Sequence, residues 1–384
     1  MNRQLLHLYG SVFVASLGLG MHIYFIPVFA QGLGATFFDL GLIGSASAFA
    51  YAITPLLVGY LADRFNRALL FTLGLAANFL ATVILVLARS VSDVVLFRLL
   101  GGLAYGVFWP STEVMVADLA SADKRVAAMA WYSVAWASGF LIGPSIGGLV
   151  VQSLGFIQLF LVSAVIIALA IMPDVVWVVP SYRPKTPTLG HHSGSLSTIR
   201  GLMSWYTISM CYGIVFGIIV AIFPGYANSV GVLPTVIGLL FTAFGLSRVI
   251  VFAVSERLLR FGERGVLSLA SGVAALGALL IAMFPGFVGF LLAMVIIGGG
   301  FGVIFPVTIG LISRHFSHER LGIAIGSYET MFGLGFAVGP FMGGAVAALA
   351  SVSLTFLLAS TLGGFMVLLA MLGRTYPSNA PPEV

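Results

Sequence analysis

Charge is scarce in this chain: only 8% of its residues are Asp, Glu, Lys or Arg. A soluble domain spends about a quarter of its residues on charge to solvate its surface. With 60% hydrophobic residues and a mean hydropathy of +1.12, the solvent for most of the chain is expected to be lipid. Cysteine is nearly absent as well. Cys211 is the only one, which excludes a disulfide within the chain and any Cys-based metal site. The phosphate loop G-x-x-x-x-G-K-[ST] is missing, so the sequence holds no nucleotide-driven pump. No nucleophile–base pair or metal-ligand cluster stands out, and the chain is read as no enzyme, with no cofactor and no metal. The basic residues are scattered singly, so the net charge of +5 does not point to nucleic acid.

Long apolar runs are what the chain has in abundance. Strand-type alternation is absent, so the runs are read as helices, each long enough to cross about 30 Å of hydrocarbon. Arg3 before an apolar stretch could suggest a signal peptide, but the run continues to about Ala30 and another follows at once. Twelve spans fit: near 5–30, 38–62, 68–88, 93–119, 126–150 and 154–179, then 204–228, 233–256, 265–284, 286–312, 320–348 and 352–373. Residues 180–201, with Arg183, Lys185, three prolines, His191 and His192, form the only long polar segment. The expected organisation is a six-helix bundle over 1–179, a cytoplasmic linker over 180–201 and a second six-helix bundle over 202–384. Basic residues outside the spans fall almost entirely on one side, Arg89 being the exception, which places both termini in the cytoplasm of a cell-membrane protein.

The chain is written twice. Gly139-Phe-Leu-Ile-Gly143-Pro144-Ser-Ile-Gly147-Gly148 recurs 196 residues later as Gly335-Phe-Ala-Val-Gly339-Pro340-Phe-Met-Gly343-Gly344. Gly102, Gly106, Val107 and Pro110 match Gly298, Gly302, Val303 and Pro306, and Tyr132 matches Tyr328, at the same displacement. Pro27, Ala30 and Gly34 match Pro224, Ala227 and Gly231 at a displacement of 197. Two copies of six helices inserted in the same sense describe a parallel repeat about an axis along the membrane normal. The glycine stripes remove side-chain bulk along one helix face, and they are read as packing surfaces between the two bundles.

Gly59-Tyr-Leu-Ala-Asp63-Arg64-Phe-Asn-Arg67 closes the second span. Together with the fifth-span glycines and prolines, these residues resemble the major facilitator superfamily over essentially the whole chain. The resemblance implies an all-α polytopic membrane protein, with twelve transmembrane helices in two pseudo-symmetric six-helix bundles. It makes Gly59, Asp63, Arg64 and Arg67 a conformational latch, although Asn66 stands where the family usually has Gly. Asp118 and Arg125, with six residues between them, look like the family's acid–Arg pair after the fourth span. Gly139, Gly143, Pro144, Gly147 and Gly148 are similar to the motif of drug:proton antiporters. Arg98, Gly101 and Gly102 resemble the fourth-span motif whose Arg is implicated in proton coupling, with Gly101 nearest the place of its usual Gln.

Charges inside spans are costly unless paired or facing water, and they are the first site candidates. Glu113 lies about 9 Å below the inner end of its span at 1.5 Å per residue, and Arg248 and Glu329 lie about 12–14 Å deep. The last two could form a buried pair. Glu113, Arg98, Glu329, Arg248 and His22 are the proton-coupling candidates. Tyr24, Phe25, Phe108, Trp109, Tyr212, Phe216 and Phe305 are the candidates for a substrate cavity. Asp39 and Asp93, at outer span edges, are explained by helix capping. Side-chain amides are rare inside the spans, which argues against sugars and for an apolar or amphipathic solute. The expected function is proton-coupled efflux of such a molecule by alternating access; the alternative is an importer or facilitator of a small organic solute such as an organic anion. The expected partners are the bilayer, a small-molecule substrate and protons, with the chain acting as a monomer.

Overall fold

The structure, a computed structural model, describes residues 3–62, 66–121, 124–173, 203–315 and 321–373. Asp63, Arg64 and the 180–201 segment lie outside the described residues, as do the surroundings of Gly59 and the side chain of Arg125. In chain order the helices are α1 (Arg3–Ile23), α2 (Ile26–Gly32), α3 (Phe37–Ala62), α4 (Arg67–Ile84), α5 (Val91–Leu119), α6 (Arg125–Leu154) and α7 (Phe156–Pro173). They continue with α8 (Met203–Ala221), α9 (Phe223–Ser229), α10 (Pro234–Leu258), α11 (Glu263–Met283), α12 (Phe287–His315), α13 (Leu321–Leu349) and α14 (Val352–Leu372). Two compact units result, Met1–Thr188 with Gly231–Thr242, and Leu189–Val230 with Ala243–Val384. Helix α10 therefore begins in the first unit and ends in the second.

Helices α1 and α2 make one broken span, and α8 and α9 another. The break has the same cause in both. Pro27 and Pro224 stand in the first turn of the shorter helix, where a missing N–H leaves no intrahelical bond unmade. Gly34 and Gly231, at repeat-equivalent places after these helices, have φ of 91° and 84°, a left-handed conformation that a side chain would oppose. Among the described residues, eleven spans are long and apolar enough to cross a membrane, and α7 is an apolar helix of shorter described length. The twelve-span reading of the sequence holds.

Polar residues close the ends. Ser90 and Asp93 form a reciprocal capping box at the start of α5, and Thr36 and Asp39 cap α3 in the same way, with the Thr36 N–H donating to Asp39 at 2.8 Å. Asn66 caps α4 by accepting from the Ala68 N–H at 2.9 Å, so the residue that departs from the usual family Gly has a local structural role.

Within the first unit the most extensive packing joins α1 to α6, and within the second α8 to α13. The glycine stripes explain this. A Cβ on Gly139 would stand 2.6 Å from the Leu17 nitrogen, and one on Gly143 2.8 Å from the Leu17 carbonyl oxygen. Gly147 meets the Met21 carbonyl, Gly335 that of Met210 and Gly339 that of Ile214. Backbone-to-backbone approach of this kind is a main source of helix affinity in lipid. The stripes thus join span five to span one and span eleven to span seven inside each unit. Their assignment to the surface between bundles is corrected for these glycines, because i, i+4 spacing identifies a face and not the helix that meets it. Gly148 differs: it packs on Pro234 and Thr235 at the start of α10, in the same unit. There the Thr242 hydroxyl donates to the Leu141 carbonyl at 2.9 Å. The Ser145 hydroxyl, 2.6 Å from that of Thr242, must then supply the proton of their own bond.

Spans one and seven are the most enclosed, with 72% and 83% of their most apolar windows buried against 28–56% for the other spans. They form the inner helices of their units, and their neighbours keep one face for lipid.

Candidate functional site

One face of α6 runs from large side chains to none. Tyr132, Trp136 and Phe140 follow at i, i+4, i+8, and Gly143 and Gly147 continue the same face. Helix α13 repeats the order as Tyr328, Phe332, Phe336, Gly339 and Gly343, each 196 residues on. Where the glycines let α6 close on α1, the aromatic half is filled by neighbouring rings. Trp109 on α5 meets Tyr132, Trp136 and Phe140 with centroid distances of 6.4, 6.2 and 6.3 Å. Its counterpart Phe305 on α12 meets Tyr328 edge-on at 5.8 Å. Both arrangements follow from a single sequence feature, a residue before a helical proline that faces the start of an aromatic stripe.

A carboxylate accompanies each stripe. Glu113 on α5 and Tyr51 on α3 stand within electrostatic reach of the Tyr132 hydroxyl, which is buried without a hydrogen-bond partner. In the second unit Glu329, adjacent to Tyr328 on α13, stands within reach of both Tyr328 and Tyr212. The Glu113 and Glu329 side chains are themselves exposed. The two acids come from non-equivalent sequence positions, span four in one unit and span eleven in the other, yet each lies beside the same repeat-related tyrosine. Sequence comparison at a fixed displacement could not pair them.

Arg248 does not pair with Glu329. No ion pair joins them within 4.0 Å; the Arg248 guanidinium instead lies over the Phe216 ring, 5.8 Å from its centroid. Phe216 is the hub of an aromatic cluster, with Phe336 at 5.6 Å and Phe244 and Phe301 each at 6.1 Å. The expectation of a buried Arg248–Glu329 pair rested on similar depth along two helices, and depth leaves the rotation of each helix open.

At the other end of α5, Arg67 and Asp118 form an ion pair at 2.5 Å, with side-chain exposures of only 11% and 13%. It ties the start of α4 to the last turn of α5. The sequence motifs group Asp118 with Arg125 and Arg67 with Asp63 and Arg64; the structure brings Arg67 and Asp118 together.

The remaining candidates divide. His22 is buried, its Nδ1 3.0 Å from the Gly18 carbonyl oxygen and its ring edge-on to Phe160. Since a carbonyl only accepts, Nδ1 carries the proton. Phe25 and Phe108 are completely buried; Phe108 stacks on Phe71 in the core of the first unit. Tyr24 is buried against Phe241 at 4.0 Å, and Tyr212 is 1% exposed. These four pack the interior, which corrects their place among cavity-lining residues. Trp109, Phe216 and Phe305 keep partly open surface. The sequence reading missed Tyr51, Trp136, Phe140, Phe332 and Phe336. For the last four the signal was present, since each α6 ring has an α13 counterpart at the displacement already found for Tyr132 and Tyr328.

Known proteins are similar to this chain over most of its length. The quinolone resistance protein NorA of Staphylococcus aureus is 24% identical over 360 residues, covering 90% of each chain. Multidrug resistance protein 2 of Bacillus subtilis is 26% identical over 350 residues, covering 88% of this chain and 87% of that protein. Among solved structures, the nucleoside transporter NupG superposes with a TM-score of 0.80 at 16% identity, over 98% of this chain and all of that one. A bacterial homolog of the human lysosomal transporter Spinster, inward-facing and occupied, gives 0.78 at 13% identity over 96% of each chain. These relatives are transporters and not enzymes. The model of the Major Facilitator Superfamily matches residues 8–205 and again 205–383, one copy for each half of the repeat, and the chain belongs to that superfamily of multi-pass membrane transporters.

Proposed function

We propose that this transporter exports an apolar or amphipathic small molecule in exchange for protons, by alternating access. The observation that carries the reading is the repeated aromatic stripe with an exposed carboxylate beside it, Glu113 at Tyr132 and Glu329 at Tyr328. Aromatic faces hold flat apolar solutes without demanding matched hydrogen bonds, and the spans carry few amides that could recognise a sugar. A carboxylate that is open in one state and enclosed in the other can take up and release a proton as access alternates. The names of the two sequence relatives, quinolone resistance and multidrug resistance, support export. Glu113 is the first choice for coupling and Glu329 the second, with the Arg67–Asp118 pair and the loop containing Asp63 and Arg64 acting as the latch. The protein sits in the cell membrane with both termini in the cytoplasm.

A second reading, uptake or facilitated diffusion of an organic anion, is supported by Arg248 over Phe216, a cation beside an aromatic surface. Inverted membrane vesicles separate the two. An exporter accumulates an amphipathic fluorescent solute in them only while a proton gradient, acid inside, is maintained, and loses it when the gradient is collapsed. Equal accumulation with and without the gradient would sink the exchange mechanism and favour the second reading.

A further inference from the structure

Arg98, a proton-coupling candidate by its motif, occupies a pocket apart from the aromatic stripes. The pocket lies inside the first unit, between α1, α4 and α5, and its polar lining is His22, Asn78, Thr82, Arg98 and Tyr105. It is small, with room for about one body of water size. No carboxylate lines it. Of the acids in the body and first turn of the same helix, Asp93 is five residues away and accepts from the Arg89 and Ser90 N–H groups, and Glu113 is fifteen residues away, about 22 Å along the axis.

The charge of Arg98 is therefore uncompensated where it sits. Among the described residues it forms no ion pair, and its direct polar neighbour is the Tyr105 hydroxyl, seven residues on along the same face. That hydroxyl is buried and closes no hydrogen bond. The other polar groups are already engaged in ways that leave specific capacity. Asn78 Nδ2 donates one proton to the Gly74 carbonyl at 2.8 Å and keeps a second. Thr82 donates to the Asn78 carbonyl at 2.8 Å. A guanidinium, a hydroxyl and an amide N–H thus border the space, and its acceptors, such as His22 Nε2, are all neutral, with no anionic group among the lining. A trapped water would accept one or two of these protons but would leave the positive charge uncompensated, and an uncompensated charge in a low-dielectric interior is costly.

We propose that this pocket binds a small inorganic anion of halide size, held by Arg98, the Tyr105 hydroxyl and the Asn78 amide. The site is separate from the aromatic stripes and from Glu113. It does not depend on whether the protein exports or imports, so its failure and the failure of the transport reading are distinguishable.

Purified protein in lipid nanodiscs tests this with radiolabelled chloride and with thermal unfolding at constant ionic strength and neutral pH. The expected result is saturable binding of chloride, competition by bromide but not by gluconate or sulfate, and a melting midpoint higher in chloride than in gluconate. Arg98→Gln loses the binding, and Tyr105→Phe weakens it about tenfold, the worth of one hydrogen bond to a charge. Melting in gluconate reports whether each variant folds, and Tyr105→Phe decides the matter if Arg98→Gln does not. Absence of saturable binding to the wild-type chain overturns the proposal and leaves a trapped water as the occupant. Binding undiminished in folded Tyr105→Phe overturns it as well, by placing the anion elsewhere.

Discussion

Arg248 lies over the ring of Phe216, its guanidinium carbon 5.8 Å from the ring centroid, while Glu329 stays beyond ion-pairing distance. The half-buried cation in the second unit is accommodated by an aromatic face and by the nearby Tyr212 hydroxyl. A cation over an aromatic face contributes about 0.5–2 kcal/mol, more when desolvated.

That geometry leaves Arg248→Gln and Glu329→Gln only weakly coupled, through the Tyr212 hydroxyl that both reach. Thermal shifts of the two single variants should add in the double variant, with a coupling energy under about 0.5 kcal/mol. Phe216→Leu should instead couple to Arg248→Gln by about 1 kcal/mol. Strong coupling between the two charged residues in the unfolding cycle would contradict the structure.

The Arg67–Asp118 pair should behave in the opposite way. Asp118→Asn removes the acid of a largely enclosed ion pair and is expected to cost about 2 kcal/mol, less than a fully buried pair and more than a surface one. Arg67→Gln should cost less in that background than in the wild type, because the ion pair is already gone. Additive losses would show that the pair contributes nothing to stability.

The glycine contacts set a sharp contrast between neighbouring positions. Gly143→Ala drives a methyl group into the backbone of α1 at Leu17 and Gly20 and is expected to cost about 1–3 kcal/mol, as overpacking does. Gly339→Ala should match it against Ile214. Gly333→Ala on α13, where nothing lies within 4 Å, should be neutral or slightly stabilising through helix propensity. Similar melting temperatures for all three variants would refute the packing account.

If Glu113 carries the coupling proton, Glu113→Gln abolishes proton-driven solute accumulation in inverted vesicles while the protein still reaches the membrane and melts normally. Glu329→Gln should reduce accumulation less. The readout is initial accumulation rate against imposed pH difference, which becomes flat for Glu113→Gln. A slope retained in that variant would remove Glu113 from the mechanism.

How much of this was legible in the residues depends on the range of the interaction. The Ser90–Asp93 box, the Thr36–Asp39 cap and the proline breaks at Pro27 and Pro224 involve neighbours a few residues apart, and local rules anticipate them. Even the stripe of Tyr132, Trp136 and Phe140 was open to reading, since its spacing and its second copy are both in the sequence. The meeting of Glu113 and Tyr51 with Tyr132 was not, because the three residues come from three different helices.

The sequence by itself determined the class of solvent, the number and order of the spans, the duplication, and where the backbone must break. Hydrocarbon thickness sets the length of a span, and missing N–H or Cβ groups act within a turn. Only the tertiary structure decided that the glycine stripes face α1 and α8, that Asp118 meets Arg67, and that Arg248 meets Phe216 and not Glu329. In water an apolar stripe announces the buried face of a helix. In lipid the outer surface is as apolar as the packed one, so the faces read alike until neighbouring helices are in place.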